Sequence, residues 1–294
     1  MQTESSPTTL PRRVLGRRLR ELREARELSR ARAAQQVQMG AQTLWRLESG
    51  RGSEVKRMVI NALCDLYESE ESDRRELLWL AEESRKEGWW QSYTDAMVPE
   101  VEVFLGLEQA AKRVFSWQRT TLPGLVQTPG YRRAMGDVFG AEWRAVDRER
   151  EIDLVAKRQA RLDDVENFTL EVMLCESVLR HCIGSRECMG EQLDHLLRVS
   201  ERPNVSIRVV EFSAPNHLGL MTKDFVYLEF PEHLNPVLNE PPVVYVEGFT
   251  GNLYLDKLNE ITPYQAACAS IAQVALDERD TRSLIEARAK EYKP

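Results

Sequence analysis

The stretch Leu28–Gly50, LSRARAAQQVQMGAQTLWRLESG, constrains this chain more than any other. It reads as two short helices joined by a tight turn. Ala34, Val37, Leu44 and Leu47 recur at spacings that let the two helices share one small apolar seam. Ser29 stands where an N-cap hydroxyl can accept an unpaired backbone N–H. Gly50 stands where a left-handed residue closes the second helix. Gln42, Thr43, Trp45 and Arg46 lie between the seam residues of that helix. Glutamine can pair bidentately with an adenine edge and arginine with a guanine edge, so this face suits a DNA major groove. The pattern fits a helix-turn-helix with Ala41–Ser49 as recognition helix. Two ordinary bundle helices with solvated polar faces would give the same periodicity.

Charge separates the two readings. Residues 1–60 hold 13 Lys and Arg against 6 Glu, a net of +7, whereas the whole chain carries −7. A basic head on an acidic body is the asymmetry of a chain that meets phosphate at one end. Arg30, Arg51, Lys56 and Arg57 flank the helix pair and are candidate phosphate contacts. Ala41, Gln42, Thr43, Trp45 and Arg46 are the candidate base readers.

Leu15-Gly16, Leu19, Leu22-Arg23, Leu28-Ser29, Ala34, Gln42-Thr43 and Arg46–Gly50 together resemble the Xre-type (Cro/cI class) DNA-binding domain. Gly88-Trp89-Trp90, Leu122–Thr128, Glu201–Val205 and Val244–Gly248 resemble an antitoxin-like family of actinomycete regulators, WhiJ-like, with a long C-terminal domain. The resemblance implies a transcription regulator that binds double-stranded DNA, and a small partner protein encoded nearby. Two positions depart from the family pattern: Ala33 replaces the usual leucine, and Gln38 the usual glycine of the turn. Gln38 is therefore expected at positive φ, which is costlier for glutamine than for glycine.

The expected architecture is mainly helical and α+β overall. Residues 1–11 read as a disordered leader and 12–87 as a five-helix head, with Ser72 a candidate cap for its last helix. Residues 88–294 read as an α+β body with an antiparallel or mixed sheet. In that body, 113–119 alternates and looks like a strand, 147–162 reads as a helix with Ile152, Val155 and Ala156 inward, and Thr262-Pro263-Tyr264-Gln265 reads as a helix start. Trp89 and Trp90 are expected to seat the head on the body. The arginines of the first helix read as a mainly solvated face. No apolar run reaches the roughly 20 residues that span a bilayer, and the first residues lack a signal core, so a cytoplasmic protein is expected.

Five scattered cysteines with no CxxC pair suit a reducing compartment. Cys175, His181, Cys182, Cys188 and His195 are chemically able to hold zinc, but their spacing fits no ligand pattern and buried thiols are the expectation. His217 reads as a loop histidine, and Leu122–Thr128 as a structural turn or a binding surface. No P-loop, G-x-G-x-x-G or G-x-S-x-G is present. The expectation is a non-enzymatic, cofactor-free regulator, a homodimer on a pseudo-palindromic operator. An antitoxin-like interaction module and an enzyme with a DNA-targeting head are the alternatives.

Overall fold

A computed structural model describes residues 10–51, 55–86, 88–97, 99–138, 147–248 and 251–292. Most of the expected leader and the boundary residue Glu87 lie outside these. The chain forms two compact units. The first comprises 1–92, 99–110 and 231–240; the second comprises 93–98, 111–230 and 241–294. The first unit thus takes in 88–92, 99–110 and 231–240 from beyond the expected boundary at 87.

The first unit is helical: α1 (Leu10–Ala25), α2 (Arg30–Gln36), α3 (Ala41–Glu48), α4 (Arg57–Tyr67), α5 (Glu71–Glu83) and α6 (Pro99–Ala110). Its core gathers Leu15, Leu19, Ala33, Ala34, Leu44, Leu47, Ile60, Leu63, Tyr67, Leu77 and Leu80, all buried. The departure at Ala33 is thereby accounted for in part, since this side chain is fully enclosed. Ser29 caps α2, accepting from the Arg32 N–H at 3.3 Å. Ser72 is not the cap of α5: Glu70 holds that position and Ser72 lies inside the first turn. Helix α1 starts at Leu10, so the last two residues assigned to the leader are helical.

The turns between these helices repeat one device. Glu27, Gln38 and Glu68 have φ of 52°, 55° and 48°, and Gly50 has 68°. Each follows a helix and bonds back into its last turn. For Gln38 the bonds are Gln38 N–H to Gln35 O at 3.2 Å and Met39 N–H to Ala34 O at 2.9 Å, the paired closure known as the Schellman motif. Gln38 therefore does adopt the conformation its position demands, despite its Cβ. Replacing Gln38 with glycine is expected to raise the stability of the first unit by about 0.5–1 kcal/mol, the relief of left-handed strain outweighing the added freedom of the unfolded chain. Thermal unfolding of the full chain measures this, and a lower midpoint would contradict it.

The second unit is α+β. Its six-stranded mixed sheet has the order β3-β2-β1-β4-β5-β6. The strands are β1 (Arg113–Gln118), β2 (Thr169–Cys175), β3 (Val205–Val210), β4 (Phe225–Glu229), β5 (Val243–Val246) and β6 (Leu253–Leu255). β1, β2 and β3 run parallel, and β4, β5 and β6 continue antiparallel from β1. Parallel neighbours require long crossovers. Helices α7 (Pro129–Val138) and α8 (Arg148–Gln159) lie between β1 and β2; α9 (Glu176–Arg180) and α10 (Arg186–Val199) lie between β2 and β3. Helices α11 (Leu258–Val274) and α12 (Glu278–Tyr292) complete the unit.

Strand β1 is buried on both faces, Val114 and Ser116 as fully as Phe115 and Trp117. Its central place between β2 and β4, with helices packed over the sheet, leaves neither face to solvent. In α8, Leu154 and Val155 are buried but Ala156 is exposed. α11 begins a turn earlier than Thr262-Pro263 indicated, because the N–H groups of Glu260 and Ile261 already bond the Lys257 carbonyl. Thr262 is then interior, its hydroxyl donating to Leu258 O at 2.8 Å.

The Leu122–Thr128 segment is a structural turn. Gln127 donates to Leu122 O at 2.6 Å, Gln159 to Gly124 O at 3.0 Å, and the fully buried Gln192 to Val126 O at 2.8 Å. These bonds satisfy carbonyls that the irregular backbone leaves open.

Candidate nucleic-acid interface

Recognition helix α3 divides cleanly by burial. Leu44, Leu47 and Glu48 point into the first unit; Ala41, Gln42, Thr43 and Arg46 are exposed and Trp45 is half-buried. Gln42, Thr43 and Arg46 thus share one solvent face, as their spacing of one, three and four residues requires. The helix closes through Gly50 N–H to Leu47 O at 3.1 Å and Arg51 N–H to Arg46 O at 2.9 Å. The Arg51 guanidinium lies 5.9 Å from the centre of the Trp45 ring, a cation–π contact that holds it alongside the exposed face of α3.

Beneath this face lies a buried ion pair. Arg23 of α1 donates to Glu48 of α3 through Nε at 2.6 Å and through a terminal nitrogen at 3.1 Å, and to Leu28 O at 2.7 Å. Both residues are about 5% exposed (6% and 4%). Arg30 adds a third link, Nε to Glu48 Oε2 at 3.1 Å. The hydrogen bonds to Glu48 raise the Arg23 pKa further above its ordinary value, so Arg23 stays charged. One carboxylate therefore ties α1, the first turn of α2 and the end of α3 together.

This places the candidate phosphate residues differently. Arg30 is held by Glu48. Lys56, at the start of α4, is exposed. Arg57 is exposed and pairs with Glu82 at 3.5 Å, a solvated contact of little energy. Arg32, which the sequence pattern did not single out, is exposed on α2 and, like Arg46, enters no ion pair among the described residues. The signal for it was present: it stands two residues after Arg30 in the same basic turn.

Most arginines of α1 are engaged rather than solvated, although Arg20 is exposed. Arg12 donates to Ser84 O at 2.9 Å and Arg18 to Asp73 at 2.7 Å, and just past the helix Arg26 donates to Tyr67 O at 2.7 Å. Their charge is spent inside the first unit, so the basic excess of residues 1–60 overstates what is offered to DNA. Trp89 and Trp90 meet edge to face at 5.9 Å, and Trp89 donates to Gln109 of α6 at 3.2 Å, also inside that unit.

In the second unit His217 is buried, edge to face with Trp117 at 5.8 Å, and its Nδ1 has no protein partner. Burial first, and Arg119 second, lower its pKa, which keeps it neutral near pH 7. Cys182 is exposed and Cys188 half-buried. Among the described residues no three His, Cys, Asp or Glu side chains converge as a metal site would require, and no helix is long and apolar enough to cross a membrane.

Residues 14–77 match the family described as a helix-turn-helix domain. Residues 101–287 match the family described as a domain of unknown function, DUF5753. The chain belongs to the DUF5753 family. No curated protein matches it. The DUF5753 match spans every strand of the sheet, and the helix-turn-helix match runs from within α1 through α4 to the first half of α5. Together they make the chain a DNA-binding regulator in which a helix-turn-helix is joined to a DUF5753 domain.

Proposed function

We propose that this protein is an Xre-type, WhiJ-like transcription repressor of the antitoxin-like kind. It reads a pseudo-palindromic operator as a homodimer in the cytoplasm. The DUF5753 domain dimerises and receives the signal, an effector or a small partner protein encoded nearby, and carries out no catalysis. The observation that carries the reading is the exposed row Gln42, Thr43 and Arg46, with Arg46 outside every described ion pair in a unit whose other arginines are mostly engaged. A guanidinium left in solvent on a recognition helix is available for a guanine edge. Arg32 and Lys56, with Arg51 beside Trp45, suit the phosphates on either side. One short helix reaches few base edges, so two-fold symmetry is the usual source of adequate specificity.

Selection of binding sites from a random duplex library with the full chain tests this. A palindromic consensus with half-sites about one helical turn apart is expected, together with a dimer by light scattering. Gln42→Ala and Arg46→Ala are each expected to cost about 1–3 kcal/mol on the selected site and to relax preference at one position. Lys56→Ala and Arg32→Ala should weaken all sequences alike and reduce the log–log salt slope by about one. A monomer that selects a single asymmetric half-site would overturn the dimer, and unchanged preference in both base-reading variants would overturn the assignment of the face.

A further inference from the structure

Pro231–Glu240 leaves β4 and returns to β5, two strands of the second unit, yet it belongs to the first. Its attachment there is built. Leu238 is 4% exposed within the helix-turn-helix core. Asn235 donates from one amide nitrogen to both carboxylate oxygens of Glu76, at 2.9 and 2.8 Å. His233 lies 6.3 Å from Trp79. Arg13 donates to Glu240 Oε1 at 2.8 Å, Arg17 pairs with the other oxygen, and Arg17 also donates to Asn239 O at 2.6 Å. The Glu240 side chain is only 3% exposed. The strap is braced within itself as well, by His233 N–H to Asn239 Oδ1 at 2.6 Å and Asn235 Oδ1 accepting from Val237 N–H at 3.2 Å.

One residue it grips, Arg13, also adjoins the turn that closes α3, and Gly16 of the same helix packs on α3. A Cβ on Gly50, at the end of α3, would stand 3.0 Å from the Cα of Arg13, and one on Gly16 would stand 2.3 Å from the Leu47 carbonyl oxygen. Arg13 thus touches the recognition helix with its backbone and the strap with its guanidinium. We propose that Pro231–Glu240 is a control strap. It fixes α1, and through α1 the end of α3, so that DNA reading depends on the strap's hold on α1. Glu240 is its positioning residue. The consequence for DNA rests on the function proposed above; the mechanical link does not. Packed elements pass on displacement because they have few alternative arrangements.

Hydrogen exchange on the full chain tests the link. In Glu240→Gln, amides of α1 and α3 are expected to exchange about tenfold faster, while β1, β2 and β3 keep their protection. Leu234→Ser, at a strap position fully exposed to solvent, should leave all of them unchanged. The same variants are then titrated with the duplex selected by the wild-type chain, where Glu240→Gln should bind about tenfold more weakly. Faster exchange confined to 231–240, or spread equally over every strand and helix, overturns the strap. A wild-type chain that selects no DNA overturns the DNA-reading function instead, and the exchange result still decides the strap.

Discussion

Glu48→Ala is expected to destabilise the first unit by about 3–5 kcal/mol, because it leaves the Arg23 guanidinium buried without its counter-ion. Arg23 keeps only its bond to the Leu28 carbonyl and a 3.2 Å contact to the exposed Glu24. Arg30 of α2 loses its tie to α3 at the same time. Binding of DNA should be lost together with stability, since one carboxylate sets the angle between α2 and α3. A second variant separates the charge penalty from the shape. Arg23→Met with Glu48→Leu removes both ions and keeps apolar volume, so it should recover most of the stability lost by Glu48→Ala, since buried pairs replaced by well-packed apolar groups are often neutral. Denaturant unfolding of the three proteins measures this. A double variant as unstable as the single one would show that geometry, not an orphaned charge, dominates the site.

Gly16→Val is expected to cost about 3 kcal/mol or more, at the upper end of over-packing, because the added carbons meet backbone rather than a flexible side chain. The Leu47 carbonyl oxygen and the Glu48 carbonyl carbon lie 2.3 and 2.9 Å from where the Cβ would stand. Neither can swing aside; α1 must move off α3. That displacement also draws Arg23 away from Glu48, so the two effects should be less than additive when Gly16→Val is combined with Glu48→Ala. Melting temperatures of the singles and the double give the coupling. Full additivity would mean that α1 shifts without disturbing the ion pair.

Much of the first unit was legible in the sequence because its signals are local. The apolar seam of Ala34, Leu44 and Leu47, the Ser29 cap, the left-handed Gly50 and the demand on Gln38 each follow from residues within one or two turns. Such features depend on backbone sterics and short-range hydrogen bonds, which neighbouring residues dictate. The division of α3 into buried and exposed faces follows in the same way from helical period. In the second unit the strands were legible from β-branched and aromatic runs, and the helices from their stripes.

What only the tertiary structure decided involves partners far apart in the chain. That Arg13 and Arg17 are committed to Glu240, more than 200 residues away, cannot be inferred from the charge of α1. Counting residues gives the net charge of a segment, whereas the charge left in solvent depends on which pairs form. For the same reason the sequence could not show that Arg30 is bonded to Glu48 or that Arg32 enters no ion pair among the described residues. The earlier start of α11 and the burial of both faces of β1 likewise depend on what packs against them. Local sequence determined the helix-turn-helix and the exposed face of α3. Long-range packing decided which of its cations are engaged, and made the loop between β4 and β5 part of the helical unit.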